Sequence, residues 1–311
     1  MTESLTMDQS SGSAAYRSGV VAIIGPPNAG KSTLLNHFLG QKIAIVTPKP
    51  QTTRNRILGI LTGEGYQIIL LDTPGLHKPR ELLNREMVRI ALDTLAEADV
   101  VLFLADATVR TPERLEKLGR EFAVYLQRVS CPVILALNKI DQLDKALLLP
   151  LLDRYRSLHP FAAMVPVSAL QGEGTGLLLE ELVRLLPEGP RYYPDDIPTD
   201  ATERFIAAEI IREKVFLLTR DEVPYSTAVL IDSFQESAGG RPVVIHATIL
   251  VEQPSQKGII IGQQGRMLGQ IRKKAMPDIE EMLDRKVTLR LWVKVKKNWT
   301  SNEQVLRDLG L

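Results

Sequence analysis

Residues 25–33, "GPPNAGKST", set a glycine, four further residues and then Gly-Lys-Ser behind an apolar run. Amides around Gly25, Asn28, Ala29 and Gly30 can turn inward onto phosphate oxygens, and Lys31 can carry its charge to the terminal phosphates of a nucleoside triphosphate. Ser32 offers a hydroxyl to Mg2+, and Thr33 continues the phosphate-binding stretch into a helix. The same chemistry needs a carboxylate for the metal and an amide for the last phosphate. "DTPG" at 72–75 contains both, Asp72 and Gly75. "NKID" at 138–141 closes another apolar run. There Asp141 can accept from two adjacent donors on a guanine edge, a pair adenine lacks. Lys139 can lie over the base, and Asn138 can tie this loop to the phosphate loop. "SAL", Ser168, Ala169 and Leu170, brings a backbone amide, assigned to Ala169, to the guanine carbonyl.

Between the first two segments lies "PKPQTTRNR", residues 48–56. A loop that responds to the last phosphate needs one hydroxyl recruited only by a triphosphate. Thr53 is the candidate and Thr52 the alternative. The expected magnesium set is therefore Ser32, Thr53 and Asp72, and the groups assigned to the transferred phosphate are Lys31, Thr53 and Gly75. Ras-like enzymes carry a glutamine after the "DxxG" glycine to orient the attacking water, whereas this chain has Leu76. Slow intrinsic hydrolysis is the consequence. In related potassium-activated GTPases an asparagine in the phosphate loop helps hold K+, and Asn28 is open to that role or to a simple turn role. His77 and Arg54 read as solvated side chains.

Short apolar runs alternate with helical patterns from residue 19 to about 186, as in a largely parallel sheet covered on both faces. The expected elements include "VVAIIG", a helix from Lys31 to Leu39, "QIILLDTPG", a helix from Leu82 to Leu95, "VVLFLAD", a helix from Thr111 to Val129, "PVILALNKID" and helical turns at 182–186. All the motifs fall at strand C-terminal ends, where open parallel sheets bind ligands. Residues 187–200 are rich in proline and read as a linker. From 201 to 311 the order changes to helix, two strands, two helices around "GQQG", a strand and a short helix.

The first eighteen residues lack the basic start and apolar centre of a signal peptide and read as a disordered tail. No apolar run approaches the ~18 residues of a membrane span, so a soluble, cytoplasmic protein is expected. Cys131, the one cysteine among 311 residues, excludes an internal disulfide and reads as a buried thiol at a strand edge. Lys and Arg total 38 against 37 Asp and Glu, so any attraction to nucleic acid must be local.

The second glycine loop supplies such a locality. Gly262 and Gly265 have the spacing of a Gly-x-x-Gly turn, whose bare backbone lets phosphates approach closely. Between residues 257 and 297, eleven Lys and Arg face four Asp and Glu. Gly262, Gln263, Gln264, Gly265, Arg266, Arg272 and Lys273 are the candidate RNA contacts. Trp292 and Trp299 could stack on bases, but Trp292 lies in an alternating strand and reads as core.

With "GPPNAGKSTLLN", "PQTTRNRILGI", "DTPGLH", "NKID", "VSAL", "LPEGPRYYPDD", "ERFIAAEIIREK", "DEVPYS" and "IIIGQQGRMLGQI", the chain resembles the Era family of GTPases from about residue 19 onward. The leucine after "DTPG" matches that family too. The resemblance implies an α/β fold: a P-loop GTPase domain with a mostly parallel sheet, followed by an α+β type II KH domain. It implies GTP and GDP as ligands with Mg2+, and binding to the 3′ region of small-subunit ribosomal RNA during assembly of the small ribosomal subunit. A monomer is expected, and peripheral contact with the cytoplasmic face of the cell membrane is left open. The competing reading is an RNA-binding chaperone module that holds GTP as a structural ligand.

Overall fold

The computed structural model describes residues 15–75, 82–109, 111–127, 129–235 and 242–311. Leu76 and His77 therefore lie outside the described residues, as does most of the expected N-terminal tail. In the first half, strands β1 (Arg17–Ile24), β2 (Ile57–Gly63), β3 (Tyr66–Asp72), β4 (Val100–Asp106), β5 (Val133–Asn138) and β6 (Ala163–Val167) form one sheet in the order β2-β3-β1-β4-β5-β6. Every pairing is parallel except β2 with β3. Helices α1 (Lys31–Leu39), α2 (Leu82–Ala96), α3 (Pro112–Leu126), α4 (Leu148–Arg156) and α5 (Thr175–Leu185) cover it.

The strands read as unbroken apolar runs because both faces are buried. Val21 and Ile23 of β1 pack on one side with Leu34 of α1 and Leu178 of α5. Ala22 and Ile24 face the other way, toward Ala91 of α2, Phe122 of α3 and Tyr155 of α4. Period-two alternation is present in space but invisible in hydropathy, since neither face meets water. Cys131 is half-buried beside the second of these layers, and burial raises its thiol pKa, which suits a packing role.

Two features differ from the sequence reading. β2 and α4 are additional elements. β2 is joined to β3 by the two-residue turn Glu64–Gly65, with Gly65 at φ +78°. The expected tail also ends earlier than residue 18. Arg17 and Ser18 already pair with β3, and the proline-rich segment holds them there: Ser18 N donates to Pro187 O at 3.1 Å and Ser18 Oγ to Pro190 O at 2.7 Å, while Arg17 Nη1 donates to Leu186 O just before it at 2.6 Å. That segment is strapped to the sheet as well. Gln67 Oε1 accepts from Tyr192 N and Tyr193 N, and Ile60 N donates to Pro198 O.

The second half begins with α6 (Glu203–Leu218), capped by the Thr202 hydroxyl accepting from Phe205 N. A three-stranded sheet follows, β7 (Ala228–Gln235), β8 (Val243–Val251) and β9 (Val287–Val295), with β8 central, β7 antiparallel to it and β9 parallel. Helices α7 (Pro254–Ile261) and α8 (Arg266–Leu283) connect β8 to β9, and α9 (Glu303–Asp308) comes last. α6 is buried almost all round, Arg212, Glu213 and Lys214 included, because it lies between the two halves. Trp299 is fully buried and its indole Nε1 donates to Ser226 O. Trp292 corrects the expectation of a core residue: it is 48 % exposed, on the face of β9 opposite the helices.

Candidate functional site

The phosphate loop runs from β1 into α1 at the point where strand order reverses, the crevice position of an open α/β sheet. Gly30 holds φ +100°, and a Cβ there would lie 2.3 Å from Asn138 Nδ2, so the loop can approach the neighbouring strand only as glycine. Asn138 then joins three segments: Nδ2 donates to Ala29 O at 2.7 Å, and Oδ1 accepts from Ala169 N at 2.8 Å. The Ala169 amide, expected to face the guanine carbonyl, is thus committed to Asn138 in this structure.

The three expected magnesium ligands meet. Ser32 Oγ donates to Asp72 Oδ2 at 2.6 Å and lies 2.9 Å from Thr53 Oγ1, which is 3.5 Å from the same carboxylate oxygen. Thr52, the alternative, spends its hydroxyl within the loop, on Lys49 O and Thr47 Oγ1. Asp72 is fully buried, and among the described residues its Oδ1 has no hydrogen-bond partner. Burial pushes the Asp72 carboxyl up to about 6, against the opposing charge of Lys31 and the two hydroxyls. Burial likewise lowers Lys31, whose Nζ donates to Gly25 O and Pro26 O at 3.2 Å. A cation beside Asp72 and a phosphate beside Lys31 would reverse both shifts. Gly75 packs against Pro27, where an added Cβ would come 3.0 Å from the backbone nitrogen.

At the far end of the cleft, of about 460 Å3, stand Lys139, Asp141, Ala169 and Leu170. Ser168 Oγ donates to Asp141 Oδ1 at 2.7 Å and fixes the carboxylate's orientation. Lys139 is in the left-handed region, and its Nζ pairs with Asp106 Oδ2 at 2.6 Å. Asp106 was not singled out from sequence. The signal available was its position at the C-terminal end of β4, level with Asn138 of β5. Asn28 is left-handed and exposed, with Nδ2 donating to Pro48 O at 2.8 Å, so it bridges the phosphate loop to the 48–56 loop.

Arg54 is not solvated. Its guanidinium is buried and donates to Thr227 O, Pro224 O and Tyr225 O, all beyond α6. Arg212 of α6 donates to Thr52 O at 2.6 Å, Lys49 Nζ reaches Phe216 O and Thr219 O, and Val46 N donates to Glu213 Oε1 at 3.0 Å. Glu213 Oε2 also receives Lys42 and Lys214, and both lysines reach Asp278 of α8. Although burial opposes it, these lysines hold the Asp278 carboxyl below its ordinary range. The loop carrying Thr53 is therefore wired to the helix that follows the second glycine loop.

In that loop Gly262 has φ +70° and ψ 174°, a glycine-only region, and an added Cβ would lie 2.7 Å from Met267 Cβ. Gly265, at φ +76°, has open space where its Cβ would be. Gln263, Gln264 and Arg266 are exposed beside it, while Arg272 and Lys273 line a groove of about 360 Å3 between α8 and β9. The two glycines should consequently respond differently. Gly262→Ala is expected to lower stability by about 1–3 kcal/mol through strain and overlap, measured by denaturant unfolding. Gly265→Asp carries left-handed backbone strain of about 1 kcal/mol but no overlap, so it should lose less stability than Gly262→Ala, and it is expected to lose RNA affinity at least tenfold by placing a negative charge where a phosphate would approach. Equal stability losses at the two positions would refute the distinction.

A phosphate loop at the switch point of a parallel sheet, a guanine-type loop beside it, and a strand–helix–Gly-x-x-Gly–helix–strand unit together define a P-loop GTPase joined to a KH domain. Family models agree, matching "50S ribosome-binding GTPase" over residues 20–139 and "KH domain" over 222–300. The chain belongs to the Era family of GTPases. It is 51 % identical to GTPase Era of Geobacter metallireducens over 95 % of this chain and 98 % of that one, and 50 % identical to GTPase Era of Syntrophus aciditrophicus over 95 % of each. Among solved structures, a point variant of Aquifex aeolicus Era bound to GDP·AlF4− is 42 % identical, with a TM-score of 0.89 and coverage of 94 % and 99 %. A second, Era in complex with MgGDPNP and nucleotides 1506–1542 of 16S ribosomal RNA, is also 42 % identical at a TM-score of 0.89, covering 95 % and 99 %.

Proposed function

We propose that this GTPase is a nucleotide-operated switch that binds the 3′ region of small-subunit ribosomal RNA and assists assembly of the small ribosomal subunit. One observation carries the reading: the 47–56 loop has Thr53 beside Ser32 and Asp72 and, at adjacent residues, Thr52 and Arg54 bound to the KH half. A loop attached at both ends converts the presence of a last phosphate into a force on the RNA-binding half. The RNA-bound relative supports the choice of partner. The division of labour is 17–186 for GTP, with β1 beginning at Arg17, and 201–311 for RNA, joined by 187–200.

Ser32, Thr53 and Asp72 form an oxygen donor set suited to Mg2+, and the orphaned Asp72 Oδ1 fits a metal or its bound water. When bound, the ion neutralises charge on the phosphates. Lys31 and the loop amides hold those phosphates, Gly75 N–H meets the last of them, and Asp141 reads the base under a Lys139 held by Asp106. With Nδ2 of Asn28 committed to Pro48 O, its Oδ1 is the atom left for K+. Hydrolysis is expected to run severalfold faster in potassium than in sodium at fixed Mg2+. Equal rates would reduce Asn28 to a turn residue.

The reading assumes a cytoplasmic monomer, with peripheral membrane contact as a separate, accessory location. Among the described residues no helix is long and apolar enough to cross a membrane. Single-turnover GTP hydrolysis with and without the RNA tests the function: stimulation is expected, and an RNA-independent rate together with nucleotide-independent RNA binding would overturn the switch.

A further inference from the structure

The outer face of the three-stranded sheet carries side chains that the Gly-x-x-Gly loop does not use. Along β9, Val287, Leu289 and Val293 turn toward the helices, and Thr288, Arg290, Trp292 and Lys294 turn to solvent. Trp292 lies over His246 of β8, ring centroids 5.2 Å apart and planes tilted by 35°, and keeps nearly half its surface open. Among the described residues neither Arg290 nor Lys294 has an ion-pair partner. Cations thus flank the indole on both sides along the strand, and successive outward positions recur every ~6.6 Å.

An exposed tryptophan costs solvation without contributing to the core, and the carboxylate of this face, Asp232, is held one strand further on by the hydroxyl of Thr248, the register partner of Trp292, so that the cations of β9 stay unpaired. Flanking cations with an aromatic platform match a phosphate backbone and an unstacked base. The location adds continuity. β9 is the edge strand of its sheet, and Thr288 lines the groove that α8 forms with it, where Arg272 and Lys273 also lie. Thr288 is thus shared between that groove and the outward row that carries Trp292.

We propose that this outer face is a second, single-stranded RNA subsite, in which a base stacks on Trp292 while Arg290 and Lys294 hold neighbouring phosphates. It rests on the RNA-binding reading above and deepens it, since a Gly-x-x-Gly clamp alone holds about four nucleotides.

The test uses the intact protein with a non-hydrolysable GTP analogue and RNAs of about 4 and about 12 nucleotides from the 3′ end of small-subunit ribosomal RNA. With Trp299 buried, fluorescence quenching reports on Trp292. The longer RNA should bind more tightly and quench. Trp292→Ala should weaken the longer RNA about tenfold and leave the shorter unchanged, and Trp292→Phe should retain most of the affinity. Arg290→Ala with Lys294→Ala should flatten the salt dependence for the longer RNA by about 1.4 in the log–log slope. If both variants bind both RNAs like the wild type, the subsite is overturned and the face falls to a protein partner. Failure of wild-type protein to bind either RNA would remove the RNA function itself, and the subsite with it.

Discussion

Asp141→Asn is expected to lower GTP affinity on the order of 10^4-fold and to transfer the preference to xanthosine triphosphate. In the proposed role the carboxylate would accept from the ring N–H and the exocyclic amine of guanine, and the amide would oppose one of those donors with a donor of its own. Xanthine replaces the amine by a carbonyl, which the new NH2 can satisfy. The fold should be indifferent, because the one described contact of Asp141 is the Ser168 hydroxyl at 2.7 Å, and an amide oxygen accepts it equally well. Titration of both nucleotides into wild type and variant decides the matter. GTP binding retained within tenfold would mean that the base is read elsewhere.

Arg54→Ala should have the largest effect outside the nucleotide cleft. The guanidinium makes bonds of 2.7, 3.2 and 2.7 Å to Thr227 O, Pro224 O and Tyr225 O. It also lies 5.7 Å from the Phe216 ring centre and 5.8 Å from that of Trp299. Truncation leaves those three neutral carbonyls without their donor inside the interface, and at about 1–3 kcal/mol for each buried acceptor left unsatisfied the cost is at least about 3 kcal/mol. The thermal transition should fall by roughly 10 °C. Since Arg54 adjoins Thr53, the nucleotide's influence on RNA affinity should shrink toward none. Arg54→Lys, which retains charge but not the fork, should restore little of either. An unchanged transition with unchanged coupling would mean that the clamp is incidental.

That the motifs meet in one cleft is legible in the sequence because each is local: glycines, a lysine and a hydroxyl lie within a few residues of one another, at the ends of apolar strands that announce themselves. The interface is not. Arg54, Arg212, Glu213 and Lys214 look like surface charges in a sequence, and only packing of α6 between two halves buries them with partners distant along the chain. Asp106 escaped for the same reason, because its role depends on the register of β4 against β5. Trp292 was misread because alternation gives the two faces of a strand but not which one meets water. In β9 the helices take the face of Val287, Leu289 and Val293.

The central claim is that one loop couples the two halves, and coupling between binding sites is reciprocal. The most direct measurement is RNA affinity at matched salt with GDP and with a non-hydrolysable GTP analogue, paired with nucleotide affinity with and without RNA. The account predicts tighter RNA binding in the triphosphate state by a factor of about 5–150, and the same factor in the nucleotide measurement. Equal RNA affinities in the two states would contradict it and leave GTP as a structural ligand of an RNA-binding module.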